Sequence, residues 1–124
     1  MGFAPHVKDK VLDKILRGES FSAPATIYVS LHSDDPGSDG SNEIDGGSYV
    51  RKEATFTIAS DGYAYSEEDI LWNDMPEVEV THVGIWDDSS TGDFWWGGSL
   101  LEQRSVVEGD SFLIPAGDLS AKVE

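Results

Sequence analysis

The chain reads as a mainly β protein, an antiparallel β-sandwich or jelly-roll-like domain with one N-terminal amphipathic helix. Seven to nine short segments of alternating or aromatic-rich character follow one another, separated by clusters of Gly, Asp, Ser and Pro. A single segment, near the N-terminus, carries apolar residues at helical spacing. There is no strand–helix–strand rhythm and no repeat of fixed period, so a parallel sheet and a solenoid are not expected.

The helix is predicted over residues 5–17. Pro5 suits a first helical position and Gly18 suits the residue just past the end. Val7, Val11, Leu12, Ile15 and Leu16 make one apolar stripe, and Asp13 and Arg17 are spaced as an i, i+4 pair. Two readings of the helix stay open. It packs on its own β-domain, or it is a basic clip that docks on an acidic neighbouring subunit. On the second reading Val7, Lys8, Val11, Lys14 and Ile15 are interface residues.

Glu19–Pro24 is a connector. Residues 25–33 then alternate, with Ile27, Val29 and Leu31 facing one way and Tyr28, Ser30 and His32 the other, a half-buried strand. Residues 34–48 form a long polar loop of turn-forming residues. A second alternating strand is expected over 49–59, with Val50, Ala54, Phe56 and Ile58 on one face. Short strands follow at 63–65 and 69–73. The clearest strand is Val78–Asp88. Val78, Val80, His82, Gly84 and Trp86 fall on one face and Glu79, Thr81, Val83, Ile85 and Asp87 on the other. Both faces carry large apolar groups, so this strand belongs in the middle of a covered sheet. A hairpin-type loop leads to a strand at 94–101, where Gly97–Gly98 signal a bulge or a close backbone approach. Strands at 105–107 and 111–114 are joined by a turn, and Leu119, Ala121 and Val123 alternate to the end. Residues 1–18 are read as a helix and docking segment, and residues 19–124 as one β-sandwich folding unit. The 34–48 loop is not a domain boundary, because neither side could fold alone.

At 124 residues the chain has the length of one domain that buries roughly two thirds of its unfolded surface. The absence of cysteine excludes disulfides, thiolate metal sites and a cysteine nucleophile. No leader peptide is expected, and no run approaches the roughly 18 apolar residues of a spanning helix, so membrane insertion is not expected. Eight Lys and Arg face 24 Asp and Glu, a net charge of −16, which repels nucleic-acid phosphates. The acids are spread along the chain, which argues against an acidic tail, and the aromatic content argues against disorder. A carboxylate-rich surface adapted to high salt fits best. Residues 6–17 run against the trend, with four cations and two aspartates, so half of all positive charge sits in the helix.

No catalytic constellation stands out. His6, His32 and His82 lie far apart in sequence, and no strained serine elbow is present. His82 shares a face with apolar residues and reads as a structural hydrogen-bonding residue. The loop offers Asp35, Asp39 and Asp45 as candidate cation ligands. An EF-hand register fails there, because Gly37 and Gly46 occupy ligand positions, and a solvated loop is the default. No cofactor is expected. Trp95 and Trp96 are adjacent, so on a regular strand one fills the core and the other needs a cover, either a subunit interface or a carbohydrate platform.

The pieces LRG, APATIYVSLHSDDP, GGSYVRKEATF, the long stretch WNDMPEVEVTHVGIWDDSSTGDFWWGGSL and the closing VVEGDSFLIPAGDLSAKVE occur in that order over about residues 11–124. In order and spacing the chain resembles a family of small structural proteins of tailed phages and related viruses. The resemblance implies a non-enzymatic β-domain present in many copies in the virion, partnered by copies of itself and by other virion proteins. It supplies no catalytic residues. Capsid decoration, turret, fibre, neck and tail all stay open, and so does a receptor- or glycan-binding tip. The acid load, unlike that of typical family members, implies a virus of a salt-loving host, a haloarchaeon.

Overall fold

Pro5 begins the helix as its fixed φ favours, and α1 runs Pro5–Arg17. Gly18 ends it in the left-handed conformation at φ 68°, its N–H and that of Glu19 closing back on Lys14 and Asp13. The computed structural model describes residues 2–122, so Val123, expected to continue the last strand, lies outside the described residues. After α1 come β1 (Ile27–His32), β2 (Lys52–Ala54), β3 (Tyr63–Tyr65), β4 (Ile70–Trp72), β5 (Val78–Trp86), β6 (Phe94–Val106), β7 (Phe112–Ile114) and β8 (Ser120–Lys122). The fold is mainly β, with antiparallel sheets and a single N-terminal helix, as the patterning predicts.

The main sheet has the order β2-β1-β5-β6, all antiparallel. β5 lies in its interior, as its two apolar faces require. Two short ribbons, β3-β8 and β4-β7, complete the strands. Ile70 and Trp72 of β4, and Phe112 and Ile114 of β7, meet Val29, Leu31, Val83, Ile85 and Trp96 of the main sheet in one core. Ribbon on sheet is thus the layering that buries the principal core. A smaller core of Ala4, Val7, Trp86 and Phe94 lies under the helix.

The expected strand at 49–59 shrinks to the three residues of β2 and an isolated bridge from Phe56 to Ser66, and Val50 and Ile58 are exposed. Period-2 patterning overstated it because only Ala54 and Phe56 of the supposed face reach the core. The two segments expected at 94–101 and 105–107 are one continuous strand. Gly98 makes the close approach expected there: a Cβ would stand 2.5 Å from the Trp96 ring. The pairing irregularities lie elsewhere, between Val80 and His82 and between Ile85 and Trp86. The first explains how Val80 and Val83, three residues apart, both enter the principal core. Strict alternation had put Val80 on the face of Trp86 and Val83 on the other. The second leaves Trp95 without a register partner between Phe94 and Trp96, and those two flanking rings enter different cores.

β1 also departs from the half-buried reading, because Val29, Ser30, Leu31 and His32 are all fully buried. The 34–45 segment folds back over its second face. Ser33 N–H bonds Asn42 O at 3.1 Å, and Ile44 N–H bonds Leu31 O at 2.9 Å. Gly40, at φ +80°, lies against the Trp86 ring with no space for a Cβ.

Candidate functional site

The N-terminal arm is stitched to the start of β6. Gly97 N–H donates to Gly2 O at 3.1 Å, Ala4 N–H to Trp95 O at 2.8 Å, and Phe3 bridges to Trp96. His6 Nε2–H donates to Phe94 O at 2.7 Å. The first turn of α1 is therefore part of the folded body, and Val7 is buried beside Trp86 and Phe94. Beyond it the helix leaves the body. Val11 is half-buried, whereas Leu12, Ile15 and Leu16 are 55%, 73% and 75% exposed. Lys8 and Lys14 are exposed too, and Arg17 lies 3.8 Å from Glu19 in solvent.

The tryptophan pair is divided. Trp96 lies in the principal core at 6% exposure. Trp95 is half-buried, its ring met edge-on by His6 at 5.6 Å and by Phe21 at 6.0 Å. The cover that Trp95 requires comes from His6 of α1 and Phe21 of the connector, so the pair offers no open platform. Both indole N–H groups lack a hydrogen-bond partner among the described residues.

Behind the helix runs a chain of buried hydrogen bonds that alternation had not revealed. Trp86 Nε1–H donates to Ser30 Oγ at 2.9 Å, and Ser30 Oγ lies 2.6 Å from His32 Nε2. His32 Nδ1 lies 2.7 Å from Ser41 O. A carbonyl only accepts, so Nδ1 carries the proton, Nε2 is the acceptor, and the Ser30 hydroxyl donates to it. Burial, first among the causes, holds the His32 pKa below its ordinary value, which favours this neutral tautomer. Ser30 and His32 have the spacing of a nucleophile and its base, but both are fully buried and no substrate reaches them. Their geometry serves to tie the loop and Trp86 to β1. His82 sits opposite His32 in the register, its Nδ1 2.8 Å from Thr81 Oγ1.

A second strut centres on Arg51. Its Nε and one terminal nitrogen reach the two Glu43 carboxylate oxygens, each at 2.9 Å. The other terminal nitrogen donates to Asp88 O at 3.0 Å and Thr91 O at 2.8 Å. The guanidinium stacks on Trp86, 3.7 Å from the ring centroid. Tyr49 O–H donates to Glu43 at 2.7 Å and accepts from Leu31 N–H at 2.9 Å. Burial, then the negative charge of Glu43, drives the Tyr49 pKa strongly up. One arginine thus clamps the acidic loop, the β5–β6 hairpin and a core tryptophan. The available signal was its isolation: Arg51 and Lys52 are the only cations between Arg17 and Arg104.

The acidic loop uses its carboxylates on its own backbone. Asp35 Oδ1 accepts Gly37 N–H, and Asp39 Oδ1 accepts the Ser41 N–H and hydroxyl. The Ser41 hydroxyl, above all, keeps the Asp39 pKa low. Asp45 is exposed. Among the described residues no group of three or more His, Asp or Glu side chains converges in a metal-binding arrangement.

On the ribbon side of the sheet a groove of about 500 Å³ runs between β6 and the β7–β8 segment. Leu100, Leu113 and Tyr65 give it an apolar lining, and Glu102, Arg104 and Asp118 contribute charge. Leu113 pairs in register with Leu71, and both are substantially exposed.

A helix anchored at one end, an apolar groove and a strapped acidic loop are the salient features of this mainly β protein. The family model of the podophage GP4 fiber I protein gp80 matches residues 2–122, and the chain belongs to that family. It is a structural component of the virion. No curated protein matches the chain.

Proposed function

We propose that this virion protein is a non-enzymatic fibre subunit that assembles as a homo-oligomer and holds its place through contacts of α1. The carrying observation is the helix itself. Its first turn is anchored by the buried Val7, while Leu12, Ile15 and Leu16 are exposed to solvent. Exposed apolar stripes of this kind mark interaction surfaces. Lys8 and Lys14 flank the stripe and make it a basic surface on an acidic protein. The family name, which specifies a fibre, supports the same placement. The test is replacement of Leu12, Ile15 and Leu16 by Ser in the virus. The variant is expected to retain its far-UV circular dichroism and to be lost from purified particles. Normal incorporation would overturn the reading. Removing residues 1–18 is a poorer test, because Phe3, Ala4 and Val7 belong to the body's packing.

The charge of −16 is proposed to adapt the surface to a salt-rich habitat of the host. Raising ionic strength from about 0.1 M to about 1 M shortens the screening length from about 10 Å to about 3 Å and relieves the carboxylate repulsion. The urea midpoint is expected to rise over that range. A flat or falling midpoint would sink the adaptation.

A further inference from the structure

We propose that α1 of one copy seats in the β6–β7–β8 groove of a second copy, a head-to-tail contact. This rests on the fibre-subunit reading and names the partner. The two halves of the contact are on opposite sides of the molecule. The helix root packs with Trp86 and Phe94, on the sheet face that carries Ser30 and Gly84. The groove is lined by Trp96, Phe112, Ile114 and Leu119 of the principal core, on the other face. A 13-residue helix is only about 20 Å long. It is stitched to β6 at Gly2 and Ala4, and none of its residues lines the groove.

Shape and chemistry match between the two. The helix offers Leu12, Ile15 and Leu16, three aliphatic side chains within two turns. The groove, at about 500 Å³, falls in the roughly 300–1,000 Å³ range of sites that take bulky apolar groups. Leu113, with Leu100 and Tyr65, supplies its accessible apolar lining. Charge selects a copy of this chain as the occupant. Residues 6–17 carry a net +2, so the remainder carries −18. The groove carries Glu102 and Asp118 against Arg104, which lies over the Phe112 ring, so its lining keeps a net negative charge for Lys8, Lys10, Lys14 or Arg17 of the incoming helix. Laying an amphipathic helix into a groove is an established recognition mode. Because the two surfaces differ, the contact repeats from copy to copy, giving a ring or a filament.

The test uses the full chain in sedimentation velocity, with Ile15→Glu on the helix side and Leu113→Glu on the groove side. Wild type is expected to sediment above the mass of one chain and each variant alone at the mass of one chain. A mixture of the two variants still holds one intact helix and one intact groove, so it is expected to form a dimer that stops there. Circular dichroism spectra matching wild type establish that the variants are folded. Wild type sedimenting as a single chain at every concentration and salt overturns the contact. So does self-association that Leu113→Glu leaves unchanged, as a helix-to-helix dimer would give. A monomeric protein whose helix variants are still lost from particles would refute this contact while leaving the fibre-subunit reading in place.

Discussion

Replacing Arg51 by Ala tests whether one buried cation holds the acidic loop to the sheet. The Arg51 side chain is only 7% exposed, and its partner Glu43 is 23% exposed. Breaking a fully buried pair costs about 3–5 kcal/mol. Here Glu43 keeps the Tyr49 hydroxyl and some access to water, and the Asp88 and Thr91 carbonyls lie in an exposed hairpin loop that water can reach. Those factors lower the cost. Losing the cation–π contact with Trp86 adds about 1 kcal/mol. The expected destabilisation is therefore about 2–4 kcal/mol. Arg51→Lys should recover little, because an ammonium cannot bridge two carboxylate oxygens and two carbonyls while lying flat on an indole. Lys52→Ala is the control. It deletes the same charge one residue away with none of these contacts, and should change stability by about 0.5 kcal/mol or less. The assay is urea unfolding followed by tryptophan fluorescence at fixed ionic strength, since a charged denaturant would screen the effect. An Arg51→Ala variant within about 1 kcal/mol of wild type, or a Lys52→Ala variant equally damaged, would refute the clamp.

Three further outcomes follow from the buried face of β1. Ser30→Ala strands Trp86 Nε1–H and His32 Nε2 together and should cost about 2–4 kcal/mol in the same unfolding assay; a neutral result would mean that water replaces the hydroxyl. Gly84→Ala places a Cβ 2.7 Å from Ser30 Oγ and 2.8 Å from Phe94 Cε1, so overpacking of about 1–3 kcal/mol is expected, whereas Gly109→Ala meets no atoms and strains only its backbone at φ +87°. The pKa of His32 is lowered in the fold, so below about pH 6.5 the unfolded chain binds the extra proton. Its contribution to stability is complete above that pH and is lost as pH falls towards the folded value, at up to about 1.4 kcal/mol per pH unit. Urea midpoints of wild type and His32→Gln, compared from pH 7.5 to pH 5 at fixed salt, should converge as the pH falls; parallel curves would exclude His32 as the cause.

Much of the fold was legible because its local rules are strong. Pro5, the apolar stripe and Gly18 set the helix bounds without help from the rest of the chain. The apolar character of both faces of β5 was enough to place it inside a sheet, and turn residues marked most breaks between strands. Alternation misled at Val80–His82, where the pairing shifts register, because a bulge depends on the partner strand and leaves no local mark. It also misled at residues 49–59, where only Lys52–Ala54 form a strand and Phe56 makes an isolated bridge to Ser66.

The amino-acid sequence alone determined a mainly antiparallel β architecture, a single basic helix and a strongly acidic surface, since each follows from spacing or composition. Tertiary structure alone decided which groups meet. It joined Trp86, Ser30, His32 and Ser41 in one hydrogen-bonded chain, and Arg51 with Glu43, eight residues away, and with Asp88, thirty-seven away. It also divided the helix into a root anchored by Val7 and an exposed end. That division depends on where the N-terminal arm meets β6, a long-range pairing that no local pattern encodes.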